Sequence, residues 1–337
     1  MSKKNNKKVN LKSSILLLLV MAILLTSSTY AWFTANKTVR VSTLDVNVEA
    51  KNGLQISSDG TTWKTVLANE DISPDALYAS GTGTYTSNKN QIPETMEPVS
   101  TVGEIDTDGT MKMYYGSVLP DEDGDYALVA TKETDKRGTT GKYIAFDVFL
   151  KVETTTSLML TTNSKVEYVG ELDKGLQNAS RVAFCLEGTV PTGSDLADIQ
   201  GLNSAVSHGA VGSTTYIWEP NSDVHSAAAV ANAKDTYGIT TSQTAADAIE
   251  YWGIKAGFEE SIKLAATHGD ESDADIFTKV APDYVTAKTQ ADNTNIFTLN
   301  AGITKVRVYM WIEGQDVDCE NSASGSDIAY SLEFTAI

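Results

Sequence analysis

Apolar and polar residues alternate along much of this chain. The alternation is clearest in residues 143–152, 305–313 and 328–336, where every second side chain is apolar. A period of two predicts β-strands, because successive side chains of a strand point to opposite faces. In residues 143–152 one face is wholly apolar and the other is mixed, as expected for a sheet that packs on a second sheet. The pattern therefore predicts a mostly β fold built from packed, largely antiparallel sheets.

Residues 192–275 have a different pattern. They are rich in Ala, Ser, Thr and Gly, and apolar residues recur at helical spacing in Ser226–Tyr237 and in Ser242–Ala266. Such spacing predicts two helical pieces. We therefore predict a β-sandwich domain formed by residues 32–191 and 276–337, with residues 192–275 as a mixed, helix-containing insertion.

The chain begins with a basic segment followed by an apolar one. Residues 1–31 contain five lysines and no acidic residue, and Ile15–Leu25 is an unbroken run of eleven apolar residues. A helix of that length covers about 17 Å, roughly half of a bilayer's hydrocarbon core, which is typical of a secretory signal. We predict that residues 1–31 are a signal peptide, cleaved after Ala31 to leave Trp32 at the new N-terminus. The alternative is an uncleaved anchor, with Tyr30, Trp32 and Phe33 at the membrane interface.

The first strand after the predicted cut changes phase within its length. Val39 and Val41 share one face, but the apolar positions of residues 44–48 lie in the opposite phase, with Ser42-Thr43 between the two halves. A phase slip of this kind indicates a β-bulge, or the end of one strand and the start of another. Two interpretations follow: Trp32–Val41 is a separable strand that can pair elsewhere, or the whole segment is one bent strand in its own sheet.

The residues around this junction carry a family resemblance. The chain reads Thr29-Tyr30-Ala31-Trp32-Phe33-Thr34 and then, after a short gap, Ser42-Thr43-Leu44-Asp45-Val46. This resembles the T-[WY]-A-x-F junction and the following [SG]-T-L-D-[LV] strand of the TasA/camelysin family, secreted proteins of Gram-positive bacteria. The sequence departs from the family pattern at Thr34-Ala35, where an acidic residue is often found. The match covers about 20 of the 337 residues.

The resemblance implies a jelly-roll topology, so the expected fold is an antiparallel jelly-roll-like β-sandwich with an α-containing insertion. It also implies cleavage by a SipW-type signal peptidase, and assembly of many copies into extracellular fibres, a biofilm matrix or a surface layer. In such an assembly the mature N-terminal segment acts as a donor strand in a neighbouring subunit. Phe33, Val39 and Val41 are the side chains that we expect to fill pockets of that neighbour.

The charge of the chain limits its partners. The whole sequence has a net charge of −18, and residues 32–337 have 21 basic and 44 acidic side chains, a net charge of −23. Nucleic acids and anionic membranes would repel such a surface. We therefore expect no nucleic-acid partner, and contact with the membrane only through the signal peptide.

Two cysteines, Cys185 and Cys319, are present. An exported chain can form a disulfide, and each cysteine follows a predicted strand. The sequence leaves two alternatives open: a Cys185–Cys319 disulfide or two thiols.

Candidate chemistry is sparse. His208, His225 and His268 have no metal-binding spacing, and we expect them at the exposed surface of the insertion. A serine nucleophile needs a placed base, and the nucleophile elbow G-x-S-x-G is absent. The sequence therefore predicts no catalytic residues, and we expect a protein that is not an enzyme.

An acidic turn is the strongest candidate for a metal site. Asp121, Asp123 and Asp125 place carboxylates at alternate positions around Gly124, as in a calcium loop. The twelfth position is Lys132, where an EF-hand has Glu. The alternatives are a calcium site and a solvated acidic turn.

Two functions are compatible with these features. The first is a secreted structural protein, located outside the cell or on its surface, that assembles with copies of itself through the N-terminal strand. The second is a monomeric surface binding module, an adhesin whose 192–275 insertion recognises a ligand. In that case Trp218, Tyr237, Tyr251 and Trp252 would be contacts, although aromatic residues of this kind are more often buried in a core.

Overall fold

The computed structural model of the chain describes residues 38–120, 126–135, 137–203, 205–243, 251–254, 261–263, 277–288, 294–320 and 325–337. The fold is mostly β, as the alternating pattern predicts, and its few helices are short. The strands are β1 (Val39–Val48), β2 (Gln55–Ser57), β3 (Val66–Leu67), β4 (Thr95–Met96), β5 (Tyr114–Pro120), β6 (Tyr126–Lys132), β7 (Ile144–Val152), β8 (Thr156–Leu160), β9 (Lys165–Val169), β10 (Ser180–Val190), β11 (Thr215–Pro220), β12 (Tyr251–Ile254), β13 (Ser261–Lys263), β14 (Phe277–Val280), β15 (Tyr284–Thr286), β16 (Thr294–Leu299), β17 (Gly302–Ile312) and β18 (Ser326–Ala336). The helices are α1 (Asn69–Ile72), α2 (Pro74–Tyr78), α3 (Leu196–Gln200) and α4 (Ala227–Tyr237).

Two large sheets form the body of the protein. The six-stranded sheet has the order β15-β11-β10-β17-β7-β2. The seven-stranded sheet has the order β16-β8-β18-β1-β3, with β4 paired to β1 and β9 paired to β18. Smaller sheets, β13-β6-β5 and β12-β14, complete the fold.

The main core lies between the two large sheets. Its buried residues come from the alternate positions of strands in both sheets, among them Val306, Val308 and Met310 of β17 and Leu332 and Phe334 of β18. Alternation places these side chains on one face of each strand, and burying both faces against each other gives the sandwich.

The outer face of the six-stranded sheet is also covered. All eleven residues of β17 are buried, so this strand is enclosed on both faces. A second hydrophobic cluster covers its outer side and includes Met111, Met113, Tyr143, Tyr309 and Trp311. Polar side chains on the outer face of β17 and its neighbours are therefore shielded from water.

Most strand pairs are antiparallel, but the first and last strands in chain order are parallel. β1 pairs with β18 from Val39↔Ser326 to Val48↔Phe334, with a register shift between Val41 and Thr43. The shift confirms the predicted bulge at Ser42, and both halves of β1 belong to a single strand. The extra residue lets Val39 and the later apolar positions of β1 all face the core, despite the change of phase.

The segment 192–275 is only partly as predicted. Helix α4 begins after Ser226, whose Oγ accepts a hydrogen bond from the Ala229 amide, and ends at Gly238 in a left-handed conformation. The predicted helix over 242–266 is wrong where the chain is described, because β12 and β13 are strands there.

The predicted boundaries of the insertion also need correction. Strand β11 lies within 192–275 but is an interior strand of the six-stranded sheet, between β15 and β10. The segment is therefore part of the sandwich rather than an addition to it. In the part of the chain that the structure describes, no helix is both long and apolar enough to cross a membrane.

Candidate functional site

The N-terminal half of β1 is held on both of its edges. Val39 and Arg40 pair with β18 on one side and with Met96 and Thr95 of β4 on the other. Val39 is fully buried in the main core, and Val41 is partly buried against it. Of the predicted donor-strand residues, Val39 and Val41 thus lie within the protein's own sheet, whereas Phe33 and the predicted cleavage residues Ala31 and Trp32 lie outside the described residues.

Further hydrogen bonds hold the strand at the bulge. The Val41 amide donates to the Glu94 carbonyl at 3.3 Å, and the Ser42 hydroxyl donates to the Ile328 carbonyl at 3.1 Å. At the start of the strand, the Gly325 amide donates to the Thr38 carbonyl. Of the two interpretations of this segment, the structure has one bent strand in its own sheet.

The outer face of the six-stranded sheet holds a buried group of charged residues, the ionic pocket: Tyr85, Asp147, Glu187, Lys305 and Arg307. Arg307 Nη1 donates to Asp147 Oδ1 at 2.8 Å, and the Tyr85 hydroxyl donates to Asp147 Oδ2 at 2.7 Å. Lys305 Nζ lies 3.4 Å from Asp147 Oδ2. Every member is at least nine-tenths buried, because the loops that precede β4 and follow α3 close over this face.

Burial and charge act in opposite directions on the carboxyl groups of the ionic pocket. Burial alone would raise the pKa of Asp147, but the charges of Arg307 and Lys305 and the hydrogen bonds from Tyr85 and Arg307 outweigh it and lower that pKa to about 2. Burial raises the pKa of Glu187 to about 7, against the attraction of Lys305. Burial and the neighbouring Asp147 also raise the pKa of Tyr85.

A cavity of about 190 Å³ opens beside these residues. Its cationic groups already have protein partners: Lys305 Nζ donates to the Gln200 and Leu202 carbonyls, and Arg307 Nη2 donates to the Lys89 carbonyl. The arrangement fixes the loops to the sheet. It does not present a nucleophile beside a base, which covalent catalysis needs.

The histidines are not all where the sequence predicts. His225 is buried, with its Nδ1 2.7 Å from Asp318 Oδ2, so the expectation of an exposed residue is wrong. His208 is largely covered and its Nε2 lies 2.8 Å from Asp283 Oδ2. His268 lies outside the described residues. A histidine beside β-sheet residues can be buried when a carboxylate compensates its charge, and no local pattern marks that carboxylate in the sequence.

The aromatic residues of 192–275 mostly belong to the core. Trp218 is buried in the main core, and its Nε1 donates to Thr286 Oγ1. Tyr251 is buried in the outer cluster and donates to the Thr101 carbonyl. Trp252 is half-buried, with Lys279 Nζ 5.5 Å from its ring centre. The side chain of Tyr237 is outside what the structure describes.

Both cysteines are thiols, and they lie in different clusters. Cys185 is buried in the outer cluster and Cys319 in the main core, so the structure has no disulfide between them. Burial raises the pKa of the Cys185 thiol to about 12. The sequence leaves open a Cys185–Cys319 disulfide or two thiols, and the structure has two thiols.

The calcium hypothesis concerns residues that the structure does not describe, since Asp121, Asp123 and Asp125 all lie in the gap between residues 120 and 126. Within the described ranges, no three His, Cys, Asp or Glu side chains are grouped so as to hold a metal ion.

Sequence reasoning missed the ionic pocket altogether. Asp147, Lys305 and Arg307 stand at polar positions of alternating strands and are typical of a solvated face. The signal that could have found them is the pairing of opposite charges on neighbouring strands of one face.

Comparison of this chain with protein families, with curated proteins and with solved structures finds no match.

Proposed function

We propose that this protein is a secreted structural subunit that assembles with copies of itself outside the cell through exchange of its N-terminal strand. The proposal rests on the export-signal pattern of residues 1–31 and on the junction that resembles the TasA/camelysin family. The single observation that supports it best is the position of β1, an N-terminal strand inserted between β18 and β4.

The pairing of β1 makes exchange between copies physically reasonable. Removal of the N-terminal half of β1 would expose the backbone groups of β18 from Ser326 to Ile328 and leave the place of Val39 in the core empty. An open strand edge beside an apolar groove binds an extended segment of matching pattern. The matching segment of a second copy fits that groove, because it has the same sequence. In the proposed assembly, β1 of one subunit therefore takes this place in the next.

The direct test is negative-stain electron microscopy of two purified proteins, one starting at Trp32 and one starting at Ser42. Fibres from the first and separate particles from the second are the expected result. Separate particles from both, at high concentration and with calcium added, would contradict the proposal.

A disulfide lock tests exchange without shortening the chain. Arg40 and Asp327 are paired across β1 and β18 and lie towards the surface, and directly paired strand positions are within reach of a disulfide. Arg40→Cys with Asp327→Cys should fold, give no fibres when oxidised, and give fibres after mild reduction.

A matched control uses a strand pair that does not exchange. Thr189 and Thr304 face each other across β10 and β17, with 2.8 Å between their hydroxyl oxygens. Thr189→Cys with Thr304→Cys should form fibres whether oxidised or reduced. Fibres from the oxidised Arg40–Asp327 lock would show that assembly does not use β1.

The alternative function is a monomeric surface binding module. Burial of Trp218 and Tyr251 removes two of its proposed contacts, but the loop between α3 and β11 carries the exposed side chains of Val206 and Val211. Val206→Ser with Val211→Ser leaves the sandwich intact, and fibres should survive it. Deletion of 192–275 is not a suitable test, because it would remove β11 from the sheet.

A further inference from the structure

An acidic loop between β17 and β18 is buried along its whole length. Residues 313–320 include Glu313, Asp316, Asp318 and Glu320, all less than one-tenth exposed. Loops normally run over the surface because their polar groups need water. A buried loop with four carboxyl groups must therefore have its charge compensated by the protein.

Arg181 and His225 pair with carboxyl groups of this loop. Arg181 Nη2, on β10, lies 2.5 Å from Asp316 Oδ2 and 3.2 Å from Glu219 Oε1 on β11. His225, in the turn before α4, is paired with Asp318. These contacts hold the loop against β10 and against the turn before α4, and Arg181 also joins β10 to β11.

Neutral groups complete the surroundings. Glu313 Oε2 accepts from Trp311 Nε1 at 3.0 Å, and Oε1 accepts from the Gln315 amide. The ring of Tyr251, on β12, lies 5.6 Å from the Arg181 guanidinium. Asp283 acts on Tyr251 from further away.

The loop also anchors helix α4. Asn232 Nδ2 donates to the Val317 carbonyl at 3.0 Å, and the His225–Asp318 pair lies at the start of the same helix. The charged residues of this region form a cluster that we call the acid latch. Its members are the carboxyl groups of Glu219, Glu313, Asp316 and Asp318 and the cationic side chains of Arg181 and His225.

The charges of the acid latch do not balance if every group is ionised. Four carboxylates against one guanidinium and one imidazolium would leave two negative charges buried without compensation. Buried charge of this kind is strongly unfavourable, and the group takes up a proton instead. Glu219 Oε2 is buried without a hydrogen-bond partner among the described residues. Because no hydrogen-bond donor occupies this oxygen, it is free to take up a proton.

We propose that the acid latch is proton-dependent: the 313–320 loop and the start of α4 stay docked while the cluster retains protons in mild acid, and they are released as the pH rises. The proposal concerns conformation and does not depend on the proposed assembly of subunits.

The direction of the change follows from the carboxyl groups. Burial raises the pKa of Glu313 to about 8, that of Glu219 to about 7 and that of Asp318 to about 6. Burial disfavours the charged form of His225, but Asp318 outweighs this and raises its pKa. Each group binds its proton more tightly in the docked state, so docking is strongest in mild acid and weakens as the pH rises towards about 8.

The test is amide hydrogen exchange of the mature chain, analysed by mass spectrometry between about pH 5 and about pH 9 and corrected for the intrinsic exchange rate. Exchange in 313–320 and in the first turn of α4 should rise about tenfold per pH unit for each proton lost, and should level off above about pH 8. Amides of β8, which belongs to the seven-stranded sheet, should show no such rise.

Variants identify the groups responsible. Glu219→Gln and Glu313→Gln each remove one ionisation while keeping the side chain's shape. Each should therefore reduce the slope of exchange rate against pH by the contribution of about one proton. Glu167→Gln changes an exposed carboxyl on β9 and should leave the profile unchanged.

Three results would overturn the proposal. The first is exchange in the loop that does not depend on pH in the unmodified chain. The second is a rise that is as steep in both Gln variants as it is in the unmodified chain. The third is restored protection at about pH 9 on adding calcium, which would show that a cation and not a proton compensates the loop.

Discussion

Arg307 and Asp147 face each other across β17 and β7, and their side chains meet on the outer face of the sheet at 2.8 Å. Both are buried, so the ion pair sits where an isolated charge would be strongly unfavourable. The loop that precedes β4 depends on it, because Tyr85 of that loop donates to the same carboxylate and Arg307 Nη2 donates to the Lys89 carbonyl.

Loss of this arginine should therefore be costly. We expect Arg307→Met to lower the free energy of unfolding by about 3–5 kcal/mol, because Asp147 would stay buried without its main counter-charge. Urea unfolding followed by fluorescence measures the change. Arg40→Met is the control: Arg40 is exposed and lies 3.9 Å from Glu94, so its removal should have almost no effect. Equal effects of the two substitutions would mean that the buried pair does not stabilise the sheet.

Glu187 should give the ionic pocket its own pH dependence. Its pKa is raised from 4.5 to about 7, so the folded state binds this proton more tightly than the unfolded state does. The stabilisation is complete below about pH 4.5 and is lost as the pH rises to about 7, a change on the order of 3 kcal/mol. Glu187→Gln should remove this part of the pH profile in urea unfolding, whereas Glu70→Gln, on the exposed side of α1, should not. A profile that Glu187→Gln leaves unchanged would contradict the assignment.

The bulge at Ser42 can be tested by deletion. Without Ser42, β1 would alternate regularly, and Val39, Val41 and Leu44 would still face the core. Its deletion should cost no more than about 1 kcal/mol, the contribution of the lost hydrogen bond to Ile328.

Deletion of Asp45 is the matched comparison. It joins Leu44 directly to Val46, so the two residues cannot both face the core. The valines of β1 regain a common phase if the bulge is lost, but Leu44 then turns outward and Thr43 takes its place. Loss of buried Leu44 should cost about 2–3 kcal/mol. Thermal unfolding of the two deletion variants distinguishes them, and equal stability would refute the bulge.

The two thiols should be unreactive in the folded protein. Both cysteines are buried, and the raised pKa of Cys185 keeps its reactive thiolate form rare. Titration with Ellman's reagent should detect almost no thiol in native protein and two thiols in unreduced protein unfolded in urea. Detection of no thiol after unfolding would show a disulfide.

Much of the fold could be predicted from the sequence, because alternation reports directly on strands. It identified β7, β17 and β18, and the change of phase identified the bulge at Ser42. Helix α4 was predictable for a local reason as well, since its apolar spacing and the Ser226 cap lie within the segment itself.

The errors have a common physical origin in long-range contacts. Tyr251–Ile254 forms a strand because it pairs with Phe277–Val280, and helical spacing in the sequence carries no information on that partner. Alternation also distinguishes the apolar face of a strand from its polar face, but it does not show whether other parts of the protein cover the polar face. Arg181 and Arg307 occupy polar positions that are typical of a solvated face, yet a second layer buries both.

The same limit explains why the ionic pocket and the acid latch were not predicted. Each is assembled from residues far apart in the chain, such as Arg181 with Asp316 and Tyr85 with Asp147. Their chemistry arises from burial, and burial depends on the complete sandwich.

The parallel pairing of β1 with β18 sets the order in which this protein can fold. The Ser42–Ile328 hydrogen bond joins residues that are 286 positions apart. Closing so long a loop is slow, and a chain that is synthesised from its N-terminus has β1 available long before β18. During that interval β1 has an unoccupied edge, and the central position of β18 prevents the seven-stranded sheet from closing early. Completion of the sheet therefore waits until β18 has been synthesised.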